Sequence, residues 1–403
     1  MSSERLYHTD SYLTAFDAEV RTVAPQGEQW LVTLDRTAFY PASGGQPNDV
    51  GTLGEAHVLD VVDLEDGTVG HVVDKALVLN EQVRGAIAWE RRFDHMQQHS
   101  GQHLLSAAFD REHAARTASF HLGNTSSTID LDRGVSAEQI AATELAANKV
   151  IWEDRSLTVR SVSPAEAAKL PLRKDPTRSG DLRIVEIADY DLSACGGTHV
   201  CRTGAIGMIA IAGFERFKGG IRVEFVCGAR ALRACRSLRD SVTSSVRLLS
   251  VLPEELPSAI EKLQTEGRGQ KKAQEALRDQ LAVHEATALA ARGSRTGGIR
   301  LVTESVAGWD AAGLKKLASA VTSNPGFIAA LISAESPFTI VVARSENLTL
   351  DAGVMLKHLI ERFGGKGGGK GPMAQGGGLN GSAQEILTAA REIAAAAGLR
   401  RGR

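Results

Sequence analysis

The sequence predicts a multidomain α+β protein: an N-terminal β-barrel, a central α+β domain suited to bind zinc, a helical connector and a C-terminal α/β domain. Three observations carry this prediction. Residues 1–90 alternate apolar and polar side chains in short runs separated by turn residues. A helix-patterned stretch follows that holds histidines at i, i+4 and i+8. Beyond a charged helical segment, residues 296–403 read as strands alternating with helices. A chain of 403 residues is expected to form more than one domain. The pattern changes place the domains at 1–90, 91–252, 253–295 and 296–403.

The first domain rests on Ala18-Glu-Val-Arg-Thr-Val, Gln29-Trp-Leu-Val-Thr-Leu, His57-Val-Leu-Asp-Val-Val and Val69-Gly-His-Val-Val. Regular short strands with Gly, Asn and Asp between them suit a small barrel. Between two of them runs Thr37-Ala-Phe-Tyr-Pro-Ala-Ser-Gly44-Gly45-Gln46-Pro-Asn-Asp49-Val-Gly51. Paired glycines let a backbone come close to a ligand, although an ordinary hairpin loop has the same composition.

The central domain opens on His95-Met-Gln-Gln-His99-Ser-Gly-Gln-His103, followed by the apolar Leu104, Leu105, Ala107, Ala108 and Phe109. Residues four apart share a helix face, so two of these imidazoles can bind one ion. The spacing alone does not choose between His95/His99 and His99/His103. Further on, Cys195-Gly-Gly-Thr-His199 places a thiol and an imidazole four apart, with glycines that permit a tight turn. Together these residues make a soft N/S ligand set that suits zinc.

The remaining elements follow in order. Phe120-His-Leu-Gly and Ser127-Thr-Ile-Asp-Leu read as strands joined by a Gly-Asn turn. Residues 136–154 are amphipathic, with Ser136 as N-cap and Ile140, Leu145, Val150 and Ile151 as apolar points. Leu182-Arg-Ile-Val-Glu-Ile is a strand leading toward Cys195. Gly207-Met-Ile-Ala-Ile-Ala and Ile221-Arg-Val-Glu-Phe-Val are antiparallel strands connected by Phe214-Glu-Arg-Phe-Lys-Gly-Gly. Residues 229–252 are helical. Residues 253–292 are charged and mostly helical, with a thin stripe of Ile260, Leu263, Leu277, Leu281 and Leu289 interrupted by Gly267 and Gly269. In the last domain, Ile299-Arg-Leu-Val-Thr-Glu, Phe327-Ile-Ala-Ala-Leu-Ile and Phe338-Thr-Ile-Val-Val-Ala are strands, and 310–321, 351–363 and 382–397 are helices.

Between the last two helices lies the glycine loop Gly364-Gly-Lys366-Gly-Gly-Gly-Lys370-Gly-Pro-Met-Ala-Gln375-Gly-Gly-Gly378. It matches GxxxxGK, but Gly371 follows where a P-loop has Ser or Thr, and a helix precedes it where a P-loop has a strand. It therefore lacks both the magnesium hydroxyl and the context of a nucleotide P-loop; a flexible linker is the alternative, although two lysines and the Met-Ala-Gln insert are odd in a spacer. Lysines and backbone N–H groups on such a loop suit phosphate. Residues 300–403 hold twelve Lys and Arg against eight Asp and Glu, a net of +4.

The whole chain has a net charge of −2, so any nucleic-acid contact must come from local patches. Four cysteines confined to residues 195–235 are not a secreted disulfide framework. No apolar run reaches the ~20 residues needed to span a bilayer. The N-terminus lacks a signal-peptide core. A cytoplasmic protein without membrane partners is expected.

Four motifs in order resemble one family. His99-Ser-Gly-Gln-His103-Leu-Leu and Cys195-Gly-Gly-Thr-His199 resemble the editing domain of alanyl-tRNA synthetase and the free-standing AlaX alanyl-tRNA editing proteins. Thr37-Ala-Phe-Tyr-Pro-Ala-Ser-Gly-Gly-Gln46 resembles their glycine-rich motif. The segment from Gly364 to Gln375 resembles the signature of the DHH-associated domain. The resemblance spans almost the whole chain and is to the long form of AlaX. It implies His99, His103, Cys195 and His199 as ligands of one zinc ion per chain, and leaves His95 beside the set. One departure stands out: Gly371-Pro lies near the family's usual Pro-Asp, so the acidic residue is missing.

The resemblance also implies the chemistry. The expected activity is hydrolysis of the ester that joins serine, or glycine, to tRNA(Ala). No class II catalytic domain precedes the histidine helix, so a trans-acting editor of mischarged tRNA(Ala) is expected. Zinc would lower the pKa of a bound water toward ~7, or polarise or anchor the substrate. Recognition of a serine hydroxyl needs a polar partner. Thr37 and Gln46 are the candidates, with Gly44 and Gly45 completing the substrate motif. Lys218, Arg222, Lys366 and Lys370 are candidates for salt-sensitive contacts to the tRNA backbone. The connector and the last domain make a homodimer plausible. Two alternatives are a non-catalytic RNA-binding protein stapled by zinc and a different zinc hydrolase. The second lacks HExxH and the dense Asp/His clusters of two-metal enzymes.

Overall fold

A computed structural model describes residues 3–174, 180–296 and 298–399. The last residues of the expected C-terminal domain, 400–403, lie outside the described residues. Contacts divide the chain into two compact units, 1–245 and 246–403.

Within the first unit, six strands close into a barrel in the order Ala15–Gln26, Gln29–Leu34, Val69–Val73, Ala56–Asp63, Gly51–Leu53 and Gln82–Ile87. The alternation of the sequence puts Val20, Val32, Leu34, Val58, Val61 and Val73 inside. Helix α1, Trp89–His113, leaves the last barrel strand directly. It is longer than the histidine run suggests, and every residue from His95 to Phe109 is buried. It packs against a four-stranded sheet ordered Ile209–Phe217, Gly220–Cys227, Ser127–Leu131 and Thr117–Leu122.

Helix α2, Ala137–Trp152, starts at Ser136, whose side chain accepts from the N–H of Gln139 in a capping box. It contributes Ile140, Val150 and Ile151 to the same core. Leu145 departs from the expected stripe and is 50% exposed. Two sequence readings fell short in this region. The antiparallel pair runs on through Phe217, so its connection is only Lys218-Gly219. Leu157–Val162 and Asp191–Ala194 flank Leu182–Ile187 in a three-stranded antiparallel sheet that the sequence did not announce.

The second unit begins at Val246, in the last turn of the helix Gly228–Leu249, and then carries a 37-residue helix, Leu256–Arg292, which Gly267 and Gly269 do not break. Of the expected stripe only Leu289 is buried, with Ala282 and Ala286. A six-stranded sheet follows, with Ile299–Val306 parallel to Phe327–Ser333 and the other pairs antiparallel. Alternate residues of Phe327–Ser333 serve two cores: Ile328 and Ile332 meet Leu356 and Leu359, while Phe327 and Leu331 meet Leu314 and Leu317. The glycine loop is itself structured. Lys366–Lys370 pairs antiparallel with Met373–Leu379 as a β-hairpin at the sheet edge.

A buried ion pair ties α1 to the loop that precedes barrel strand Gly51–Leu53. Arg92 and Asp49 are both fully buried. The guanidinium donates to both carboxylate oxygens, to the carbonyl of Ser11 at 2.9 Å and to that of Ala38 at 2.5 Å. Asp49 also accepts the N–H of Tyr40 at 2.6 Å. Removing one partner strands a buried charge. Arg92→Met is therefore expected to destabilise the protein by about 3–5 kcal/mol in urea denaturation. Adding Asp49→Asn should recover part of the loss; no recovery would mean that the pair is not the cause.

His71 gives the barrel a pH dependence. Burial lowers its pKa to about 4, opposed by the bond from Nδ1–H to the carbonyl of Val32. Its folded value lies below its ordinary 6.5. The unfolded chain then binds more protons between these values, so stability falls as pH drops from about 6.5 toward 4. Melting temperatures at pH 7 and pH 5 should differ less in His71→Gln than in the parent protein. An equal difference would exclude His71 as a source.

Candidate metal centre

Four side chains from two distant stretches converge. His99 and His103 project from successive turns of α1, and Cys195 and His199 come from the loop after strand Asp191–Ala194. Their donor atoms all lie within 4.8 Å of one another. The Cys195 Sγ is 3.3 Å from His99 Nε2 and 3.4 Å from His199 Nε2. His95 is not in the group; it is buried elsewhere on α1, and its Nδ1 has no hydrogen-bond partner among the described residues.

Each imidazole is oriented through its other nitrogen. His99 Nδ1 donates to Gln46 Oε1 at 2.8 Å, an oxygen that also takes the N–H of Thr198 at 3.1 Å. His103 Nδ1 donates to Asp191 at 3.3 Å. His199 Nδ1 meets Ser100 Oγ at 3.2 Å, which also takes the N–H of Val200 at 3.1 Å. All three Nε2 atoms are thereby left for a common ion, the outer-shell arrangement of a metal site.

The charge balance agrees. Burial opposes ionisation of the Cys195 thiol, but His99, His199 and the hydrogen bond from His103 outweigh it and hold the thiol well below its ordinary value. Burial lowers the pKa of His103, yet its bonds to Asp191 and Cys195 leave it raised to about 9, so a metal would have to displace the proton on its Nε2 in order to bind there. Asp191 is held down by His103 and Arg173 against its own burial. A thiolate with three convergent imidazoles fits zinc.

Neither glycine of Cys195-Gly-Gly-Thr-His199 has a positive φ; Gly197 serves close approach, whereas a Cβ on Gly196 would meet nothing within 4 Å. A Cβ on Gly197 would sit 2.2 Å from the ring of His99. Gly44 and Gly45 do need their freedom. With φ of +55° and +83° they form a two-residue turn closed by Ser43 and Gln46. That turn delivers Gln46 to His99.

Beside the cluster opens a cavity of about 710 Å³. His99, His103 and Cys195 form part of its wall, with Tyr40, Gly44, Gln102 and Arg183. Of the expected substrate residues, only Gly44 lines it. Gln46 is buried behind His99 and also donates to Thr198 Oγ1 at 2.8 Å. Thr37 is fully buried at the barrel, where its hydroxyl donates to His71 Nε2 at 2.8 Å and accepts the N–H of Phe39. The expected tRNA contacts lie off the cavity. Lys218 is exposed at its hairpin turn, and Arg222 is paired with Asp130 and stacked on Phe217. Lys366 and Lys370 are exposed on the glycine hairpin of the second unit.

Sequence reasoning missed Asp191, Ser100 and Arg183. A signal for Asp191 was available: Asp191, Ser193 and Cys195 alternate toward one strand face. Arg183 donates to the carbonyls of Cys195 at 2.9 Å and Gly197 at 2.6 Å, so it holds the ligand loop. Nothing local marks it.

The fold and cluster define a class. Residues 182–224 match the threonyl and alanyl tRNA synthetase second additional domain, and residues 298–396 match the DHHA1 domain. The alanyl-tRNA editing protein AlaX-L of Pyrococcus horikoshii is 31% identical over 392 residues, covering 93% of this chain and 94% of that protein. The alanine–tRNA ligases of Pyrococcus abyssi and Pyrococcus furiosus are 33% and 34% identical, each over 92% of this chain. The chain spans 41% of the length of either ligase. This chain belongs to the alanyl-tRNA editing protein family, in its long AlaX form.

Asp191→Asn is expected to weaken zinc binding roughly 10- to 100-fold, measured by competition with a chromophoric chelator. Unchanged affinity would show that Asp191 does not orient His103.

Proposed function

We propose that this protein is an aminoacyl-tRNA hydrolase that deacylates mischarged tRNA(Ala) in trans, removing serine foremost and glycine as well. The observation that carries this reading is the cavity of about 710 Å³ walled by three of the four convergent donors. Its size suits the aminoacylated end of a nucleic acid, since ligand cavities run from about 300 to 1,000 Å³. Its wall also carries Arg5, Arg173, Lys174 and Arg183 against Asp63 and Asp181. Arg5 pairs with Asp63 and Arg173 with Asp191, whereas Arg183 has no acidic partner among the described ion pairs. An excess of positive charge there suits a terminal phosphate. Membership of the AlaX family supports tRNA(Ala) as the carrier.

His99, His103, Cys195 and His199 would hold one zinc ion. When bound, zinc supplies a fixed positive charge that anchors the substrate or polarises its ester. Gln46, Asp191 and Ser100 keep the three imidazoles aimed. His8, on the cavity wall, is neutral at pH 7, because burial and then Arg183 and Arg5 lower its pKa to about 4. A neutral imidazole there can accept a hydrogen bond. Lys218, Lys366 and Lys370 remain candidates for the tRNA backbone. The exposed Ile260, Leu263, Leu277 and Leu281 of the connector helix support pairing of two copies. No helix among the described residues is long and apolar enough to cross a membrane, and we place the activity in the cytoplasm with translation.

The test compares release of serine from Ser-tRNA(Ala) with release of alanine from Ala-tRNA(Ala), by the purified protein and by Cys195→Ala, with bound zinc quantified. Selective serine release that disappears with the metal in Cys195→Ala is expected. Zinc retention without deacylation would instead favour a zinc-stapled RNA-binding protein.

A further inference from the structure

Gln102 lies on α1 between His99 and His103, lines the same cavity and is 2% exposed. Its amide nitrogen donates to Ser106 Oγ at 2.8 Å. Ser106 Oγ also receives the hydroxyl of Thr117 at 2.7 Å. The amide is turned with its nitrogen toward Ser106, which leaves its oxygen over. That oxygen, Oε1, is buried and has no hydrogen-bond partner among the described residues. An unpaired buried acceptor costs free energy, and on a cavity wall a bound ligand is one group that can complete it.

The other polar side chains of the wall are mostly engaged. Ser193 bonds Asp191, Ser119 bonds Asp130, and Tyr40 donates to the carbonyl of Ser43. Among the described wall residues, Gln102 is thus the one left with an unpaired buried side-chain acceptor, on the turn of α1 that carries His99 and His103.

Resting on the function proposed above, we infer that Gln102 is the residue that reads the side-chain hydroxyl of the aminoacyl group. Serine satisfies Oε1. Alanine brings no hydroxyl and leaves it unpaired, which is how a polar site rejects an analogue lacking the group it was built to bond; glycine also leaves it unpaired and is removed less well than serine. Thr37, bonded inside the barrel, is not needed for this step. Ser106 is a positioning residue, because it acts through the amide of Gln102.

Two measurements test the assignment. The first is the ratio of kcat/KM for Ser-tRNA(Ala) to that for Gly-tRNA(Ala), in the zinc-loaded protein and in Gln102→Met. The ratio should fall by roughly 10- to 100-fold, the scale of one lost hydrogen bond. Equal losses on both substrates would overturn the assignment, since a group common to both, such as the ammonium, would then be the donor. The second is direct binding of the non-hydrolysable 3′-seryl and 3′-alanyl amides of adenosine. The parent protein should prefer the seryl amide and Gln102→Met should not. A parent protein that binds both equally overturns the assignment.

This binding does not depend on turnover, so a protein that deacylates nothing defeats the proposed function while the reading of Gln102 is still decided. Should Gln102→Met fail to fold or to retain zinc, Ser106→Ala replaces it. That variant frees the amide to turn and should narrow the seryl preference; an unchanged preference overturns the assignment.

Discussion

The buried pair between Arg92 and Asp49 joins the two halves of the site. Asp49 belongs to the loop that carries Gln46, and Arg92 stands two turns before His99 on α1. Holding these together sets the distance between the barrel loop and the histidines. Gln46 can then bridge His99 and Thr198, which brings the loop of Cys195 and His199 against the helix. A buried ion pair adds little to stability relative to apolar packing, yet losing one partner is costly. Such a pair enforces one docking of the loop on the helix, and the donor cluster requires that docking.

Helix α1 shows how polar residues can form an interior. His95 to Phe109 are all buried, though half of them are polar. Each face finds specific partners instead of generic apolar contact. Gln98 exchanges two hydrogen bonds with the backbone of Cys227, Gln97 donates to the carbonyl of Ala205, and Ser100 receives Val200. Buried polar groups are tolerated when each is paired. That requirement makes the helix a scaffold with little freedom to shift, which suits residues that could hold an ion. Two described atoms of this run lack a partner, His95 Nδ1 and the Gln102 oxygen, and of these two residues Gln102 is the one that lines the cavity.

Much of the site was legible in the sequence because metal ligation needs particular residue types at helical or short-loop spacing. His99, His103, Cys195 and His199 could be picked out on that basis once the family resemblance had set His95 aside. The roles of the surrounding residues were less legible. Gln46 looked like a substrate contact because a serine hydroxyl needs a polar partner and Gln46 ends the motif that resembles the family's, and the structure places it behind His99. Gly197 looked like a turn former, and the structure shows that a side chain there would strike His99. The glycine loop between the last helices looked irregular, because glycine carries no side chain to alternate; its pairing is a backbone property.

By itself the sequence determined the class of the fold, the strands and helices that follow strong periodicity, and the residues able to bind zinc. These depend on local rules: alternation on a strand, four-residue spacing on a helix, an N-cap serine. Only the tertiary structure decided which residues orient those ligands, which line the cavity and which are spent on packing. Asp191, Ser100, Arg183 and the pairing of Arg92 with Asp49 act across tens of residues of chain. Their partners are set by how the barrel, α1 and the two sheets come together, and no window of neighbouring residues contains that information.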